Sequence, residues 1–130
     1  MVIDTSAILA ISLAEPEAER IATAITSFSV RKMSAVNWLE CLLVMESRRG
    51  EKAADDTLLI LEQFGVEVVT FDREHLFEAR HAWQRYGKGR HPAGLNMGDC
   101  CAYAASTVLS EPLLFKGGDF SRTDVQRLDW

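Results

Sequence analysis

Two short apolar runs, each leading to a turn that carries an aspartate, frame this chain. Met1-Val2-Ile3 stops at Asp4, and Pro112-Leu113-Leu114-Phe115 stops at the turn Lys116-Gly117-Gly118-Asp119. Runs this short and this apolar read as buried strands. Between them lie stretches with helical spacing of apolar residues. One begins at Ala7 and another covers Glu17 to Thr26. A third runs from Ala35 to Arg49, capped by Ser34 and stopped by Gly50. Lys52 to Phe64 and Arg73 to Tyr86, the latter behind an Asp72 cap, follow the same pattern, and Asn96 opens a last helix of small residues. Phe28 to Met33 and Val66 to Val69 are further strand segments, and Val125 to Leu128 reads as a final edge strand. Alternation of strand and helix predicts an α/β fold of three layers, with a mainly parallel central sheet flanked by helices. In such sheets ligands collect beyond the C-terminal strand ends, where Asp4 and Asp119 fall.

With 130 residues, the chain fits a single domain spanning 1–130 with a real core. At 48% hydrophobic and 25% charged it has the composition of an ordinary globular protein. The apolar start, MVIDTSAILAISL, lacks a basic leader, contains Asp4 and is too short to span a bilayer. A cytoplasmic protein is expected. Cys41, Cys100 and Cys101 form no disulfide framework or metal-ligand spacing and read as small buried helix side chains. His75 and His81 do not align on one helix face and read as packing or surface residues. The net charge of −5 argues against nonspecific nucleic-acid binding. The segment Arg85-Tyr86-Gly87-Lys88-Gly89-Arg90-His91 runs against that balance. A basic rim beside an acidic centre suits a phosphodiester substrate.

The acids that stand outside solvated charge runs are Asp4, Glu40, Asp99 and Asp119. Carboxylates brought together repel and are costly to bury, and a divalent cation is the usual reason to keep them. All-oxygen ligation suits Mg²⁺ or Mn²⁺. Each residue also has a plainer reading. Thr5 and Ser6, beside Asp4, could cap the first helix or bond a metal-bound water. Glu40 sits at the edge of the apolar stripe of its helix, and periodicity alone favours a solvent-facing glutamate. Asp99 is favoured near a helix N-terminus without any metal.

Four segments decide among these readings: Val2-Ile3-Asp4-Thr5-Ser6-Ala7, Ser34-Ala35-Val36-Asn37-Trp38-Leu39-Glu40, Leu95-Asn96-Met97-Gly98-Asp99-Cys100 and Leu113-Leu114-Phe115-Lys116-Gly117-Gly118-Asp119-Phe120. In order and separation, over essentially the whole chain, they resemble the PIN-domain ribonucleases, in particular the VapC-type toxins of bacterial toxin–antitoxin pairs. The resemblance implies a PIN-like nuclease domain and a metal-dependent endoribonuclease that acts as the toxin of a type II pair. It implies that Asp4, Glu40, Asp99 and Asp119 form the acidic cluster around Mg²⁺ or Mn²⁺, with Ser6 and Asn96 in support. A VapB-type antitoxin and homodimerisation are implied as well. Trp38, Leu42, Met45 and Leu59 are candidates for the dimer interface. Lys88, Arg90 and Lys116 are candidate contacts to the RNA backbone. Many relatives carry Asp or Asn where this chain has Gly118, so Asp119 is the least secure ligand. The competing readings are a PIN-like nuclease acting on DNA or in RNA processing, and a non-catalytic RNA- or protein-binding module. A flavodoxin-like phosphoacceptor fits the spacing poorly.

Overall fold

The computed structural model describes residues Met1–Trp130. Four strands, β1 (Val2–Ile3), β2 (Arg31–Ser34), β3 (Val66–Val69) and β4 (Leu113–Leu114), form one sheet in the order β3-β2-β1-β4. Every pairing is parallel: Val2 lies opposite Lys32 and Leu113, Ile3 opposite Leu114, and Arg31 to Ser34 opposite Val66 to Val69. The helices are α1 (Thr5–Ser12), α2 (Ala18–Thr26), α3 (Ala35–Arg49), α4 (Glu51–Gln63), α5 (Arg73–Tyr86) and α6 (Met97–Leu109), with a 3₁₀ turn at Asp119–Arg122. No helix is long and apolar enough to cross a membrane.

The pleat of the central strands divides the interior in two. Successive strand residues point to opposite faces, so Val2 and Leu113 pack with Tyr86, Leu95, Tyr103 and Phe120 on the α5–α6 side. Ile3 and Leu114 pack with Ile8, Ile21, Ile25, Met33 and Leu61 on the other side, against α1, α2 and α4. Both faces are covered, which is why these strands are apolar at every position. Each buried Ile or Leu contributes roughly 1.5–3 kcal/mol relative to exposure. The three-layer α/β architecture with a parallel sheet is thus the one expected. Helix α6 is buried from Cys100 through Ser106. Its small side chains (Cys100, Cys101, Ala102, Ala104, Ala105) allow the close approach to the sheet.

Three local expectations are corrected. The strand expected at Phe28–Met33 lies at Arg31–Ser34. Arg31 spans out of the sheet to the Ile25 and Phe64 carbonyls, and Lys32 pairs with Glu111, so charged residues carry a strand that alternation of apolar residues did not mark. The first helix starts at Thr5 rather than Ala7. Neither Thr5 nor Ser6 caps it; Asp4 does, accepting from the Ser6 backbone N–H at 2.9 Å. The edge strand expected at Val125–Leu128 reduces to one bridge between Leu113 and Arg127. The Gln126 carbonyl and Leu128 N–H bond Leu113 there, and the chain then leaves the sheet.

Candidate metal centre

The strand order turns back at β1. Chain leaving β1 goes to β2 on one side, and β4 returns to the other. That switch point is where an open parallel sheet forms a crevice. Asp4 stands at its floor, immediately after β1, and is 3% exposed. Glu40 approaches from α3, Asp99 from the first turn of α6, and Asp119 from the 3₁₀ turn after β4.

Asp4, Asp99 and Glu40 share one pattern: one oxygen is held by hydrogen bonds, from nearby residues for the two aspartates and from a residue 35 positions away for Glu40. Asp4 Oδ2 accepts from the Ser6 N–H at 2.9 Å and from Ser6 Oγ at 2.5 Å. Its Oδ1 is buried with no partner. Asp99 Oδ2 accepts from the Asn96 N–H at 2.7 Å, while Asn96 Oδ1 accepts from the Asp99 N–H, completing a capping box at the head of α6. Glu40 Oε2 accepts from Thr5 Oγ1 at 2.5 Å. Ser6 is itself held, because its Oγ accepts from the Lys116 backbone N–H at 2.9 Å, tying β1's exit to β4's exit.

Electrostatics follow the geometry. Burial pushes the Asp4 carboxyl up to about 7, the two Ser6 bonds oppose it, and the charges of Asp99 and Glu40 add to the rise. Burial also raises Asp99, opposed by the Asn96 backbone bond and reinforced by Asp119 and then Glu40. The same negative field reaches the neighbouring thiols. Cys101 is pushed up to about 11 by burial and then by Glu40, and Cys41 is raised by burial, then by Asp4 and Glu40. Asp119 is exposed and its charge reaches Asp99, placing it at the outer rim.

An unpartnered buried carboxylate oxygen within the field of two further carboxylates, Asp99 and Glu40, is costly unless a cation neutralises it. The donor set is all oxygen and fits Mg²⁺ or Mn²⁺. The acids are not drawn into a closed set, since no group of three or more His, Cys, Asp or Glu has that geometry. An open arrangement suits an ion that keeps several of its own waters.

The basic candidates divide. Lys88 and Arg90 are exposed on the loop between α5 and α6 and take part in no ion pair. Lys116 is instead committed to Glu15 and to Glu17, the latter at 3.1 Å, and these bonds raise its ammonium above the ordinary value. Arg85 is likewise held by Asp124 at 2.8 Å. Sequence reasoning gave no site role to Arg122. It follows Asp119 in the 3₁₀ turn, and its Nη1 reaches the Pro92 carbonyl at 3.4 Å, beside the basic loop. It also gave no site role to Asn37 or Gly98. Asn37 is fully buried, and a Cβ on Gly98 would lie 2.4–2.7 Å from the Glu40 carboxylate. Asn37 falls three residues before Glu40, on the same helix face, and that spacing was the available signal.

Known proteins fit this picture. The PIN domain family model matches residues 1–126. A Ribonuclease VapC of Mycolicibacterium smegmatis is 49% identical over 125 residues, covering 96% of this chain and 97% of its own. Ribonuclease VapC30 of Mycobacterium tuberculosis is 45% identical over 125 residues, with 96% and 95% covered. Two solved structures share the fold. Mycobacterium tuberculosis VapC20, described as a Sarcin-Ricin loop cleaving toxin, has a TM-score of 0.79 at 17% identity, covering 98% of this chain and 97% of its own. VapBC2 of Rickettsia felis, bound to a DNA fragment from its promoter, has a TM-score of 0.72 at 13% identity, with 98% and 96% covered. By its residues, its topology and these relatives, the chain belongs to the PIN-domain family, alongside the VapC ribonucleases.

Proposed function

We propose that this chain is a metal-dependent endoribonuclease, the toxin of a type II toxin–antitoxin pair, with residues 1–130 acting as one nuclease domain in the cytoplasm. The observation that carries the proposal is the unpartnered, buried Asp4 Oδ1 at the switch point, facing a field raised by Asp99 and Glu40. The relatives named as ribonucleases, close to half identical over nearly the whole chain, supply the substrate class.

Asp4 and Asp99 would hold Mg²⁺ or Mn²⁺, with Asp119 joining from the rim. Such an ion lowers the pKa of a water, clamps the scissile phosphate and stabilises the leaving oxygen. Ser6 fixes the orientation of Asp4, and Asn96 that of Asp99. Glu40 orients the attacking water or helps hold a second ion. Lys88 and Arg90, with Arg122 beside them, provide the positive edge along which an RNA backbone runs. Lys116 serves the centre through its backbone N–H on Ser6, and its side chain contacts RNA only after leaving Glu15 and Glu17.

The partners follow from two surfaces. An acidic, partly unsatisfied crevice is a natural receptor for an arginine of a VapB-type antitoxin. The dimer surface expected at Trp38, Leu42, Met45 and Leu59 is redrawn, because Met45 lies in the core at 2% exposure. Exposed Leu39, Leu43, Leu76 and Met97 share one apolar surface, continuous through Val36, whose deeper part is a cavity of about 480 Å³ against Trp83 and Cys100. A second copy of the chain would cover it.

The reading is tested by incubating purified protein with RNA and with single-stranded DNA of the same sequence, in Mg²⁺ or Mn²⁺ and in EDTA. Internal cutting of RNA alone, abolished by EDTA, is expected. Cutting of DNA moves the assignment to the DNA-directed alternative. Binding of RNA without cutting by folded, metal-loaded, partner-free protein moves it to a binding module.

A further inference from the structure

Three of the four acid-bearing segments meet on residues that carry no charge. Asn37 is fully buried in the first turn of α3. Its Nδ2 donates to the Gly98 carbonyl at 3.0 Å and to Thr5 Oγ1 at 3.1 Å, and it approaches Glu40 Oε2 at 3.5 Å. Thr5 Oγ1, accepting from Asn37, passes its own proton toward Glu40 Oε2 at 2.5 Å. Thr5 directly follows Asp4 and Gly98 directly precedes Asp99. One side-chain amide therefore joins the start of α1, the first turn of α3 and the start of α6 across 32 and 61 residues of sequence.

The sequence at Gly98 belongs to the same arrangement. A Cβ there would stand 2.4 Å from Glu40 Oε2 and 2.5 Å from Oε1. The glutamate thus lies flat against the α6 backbone, and its direction is set by Gly98 on one side and by the Thr5 hydroxyl on the other. A buried polar group is retained when its bonds are made and costs free energy when they are not. Asn37 makes its donor bonds while its Oδ1 has no partner. An apolar residue at that position would avoid the orphan oxygen and lose the link.

We propose that Asn37 is a positioning residue: acting through Thr5, it fixes Glu40 Oε2 so that Glu40 presents Oε1 to the metal centre, and through Gly98 it sets the separation of the Asp4 and Asp99 segments. The proposal rests on the metallonuclease reading above and adds to it the device that shapes an otherwise open, mutually repelling set of acids. Outer residues that orient ligands typically change metal affinity or activity by 10–100-fold.

The test measures Mn²⁺ affinity by calorimetry on the folded chain, alongside kcat and KM for RNA. Thr5→Val removes the hydroxyl at nearly constant volume, Thr5→Ser restores it, and Asn37→Ala removes the hub. Glu40→Gln is the reference. Thr5→Val is expected to weaken Mn²⁺ binding by about tenfold or more and to lower kcat with little change in KM. Thr5→Ser should recover most of both. In a Glu40→Gln background, Thr5→Val should have no further effect. Asn37→Ala should show the same losses as Thr5→Val. If it fails to fold, Asn37→Leu, which keeps most of the volume without the two donated bonds, is measured in its place. Wild-type Mn²⁺ affinity and kcat in a folded Asn37 variant overturns the proposal. Wild-type Mn²⁺ affinity and kcat in Thr5→Val, with Glu40→Gln impaired, overturns the positioning role while leaving the metallonuclease reading intact. Failure of the wild type itself to bind Mn²⁺ overturns that reading, a result distinguishable from the first.

Discussion

Asp4 shows how one side chain links fold and chemistry. Its carboxyl titrates near 7 in the folded protein against an ordinary 3.8, so ionising it costs the native state and not the unfolded chain. Between those values the unfolded chain has released the proton and the native state still holds it, so stability falls as pH rises and levels off above about 7. Metal-free protein should therefore melt at progressively lower temperature from about pH 4 to about pH 7, and Asp4→Asn should flatten that part of the profile. Mn²⁺ should protect most at the alkaline end, because binding requires the ionised form. A wild-type melting profile no steeper than that of Asp4→Asn would contradict the assignment. Gly98 makes a second residue-scale case. Gly98→Ala gives a better helix former, worth up to about 1 kcal/mol, but its Cβ displaces the flexible end of Glu40. The variant should still fold, the helix gain being offset by the lost Thr5–Glu40 bond, and should lose cleavage by about tenfold or more. Unchanged cleavage would show that the position of Glu40 is immaterial.

At the scale of elements, legibility depended on whether the signal was local. The caps were readable: Ser34 and Asp72 bond the N–H groups of Val36 and Glu74, and Gly50 ends α3 with a positive φ of 87°. The buried strands β1 and β4 were readable because both of their faces are covered. Strand β2 was misplaced because its first residues, Arg31 and Lys32, find their partners on Phe64 and Glu111, far along the chain. Asp4, Asp99 and Asp119 stood out as candidates by their contexts and Glu40 only by the family resemblance, whereas the Thr5–Asn37–Gly98 link was not legible at all, since it exists only once three distant segments meet. Lys116 was read as free for the same reason, being paired with Glu15 and Glu17 about a hundred residues away. The capping box of α6 does two jobs, closing the helix and turning Asp99. Asn96→Ala should lower stability by about 1 kcal/mol, measured by urea unfolding, and should weaken Mn²⁺ binding as well. A loss of stability with unchanged metal affinity would assign Asn96 to the helix alone.

The whole molecule presents an acidic crevice between a short basic edge and an apolar surface. Uneven charge of this kind allows a chain of net charge −5 to approach a polyanion by one side. Reversing Lys88 and Arg90 to Glu should weaken RNA binding at low salt and reduce its salt dependence. Equal affinity would remove that edge from the account. Leu43→Glu, on the exposed apolar surface, should shift sedimentation from dimer to monomer without changing the fold, and a wild type that is monomeric at micromolar concentration would leave the surface to another partner. The central claim is that the carboxylates around Asp4 form a metal centre that cuts RNA. Its most direct measurement is cleavage of a cellular RNA pool by wild type and by Asp4→Asn, each verified as folded, with Mg²⁺ or Mn²⁺ and with EDTA. The account predicts defined internal cuts by the metal-loaded wild type and none by Asp4→Asn or in EDTA. Full cleavage by Asp4→Asn, or cleavage that persists in EDTA, would contradict it.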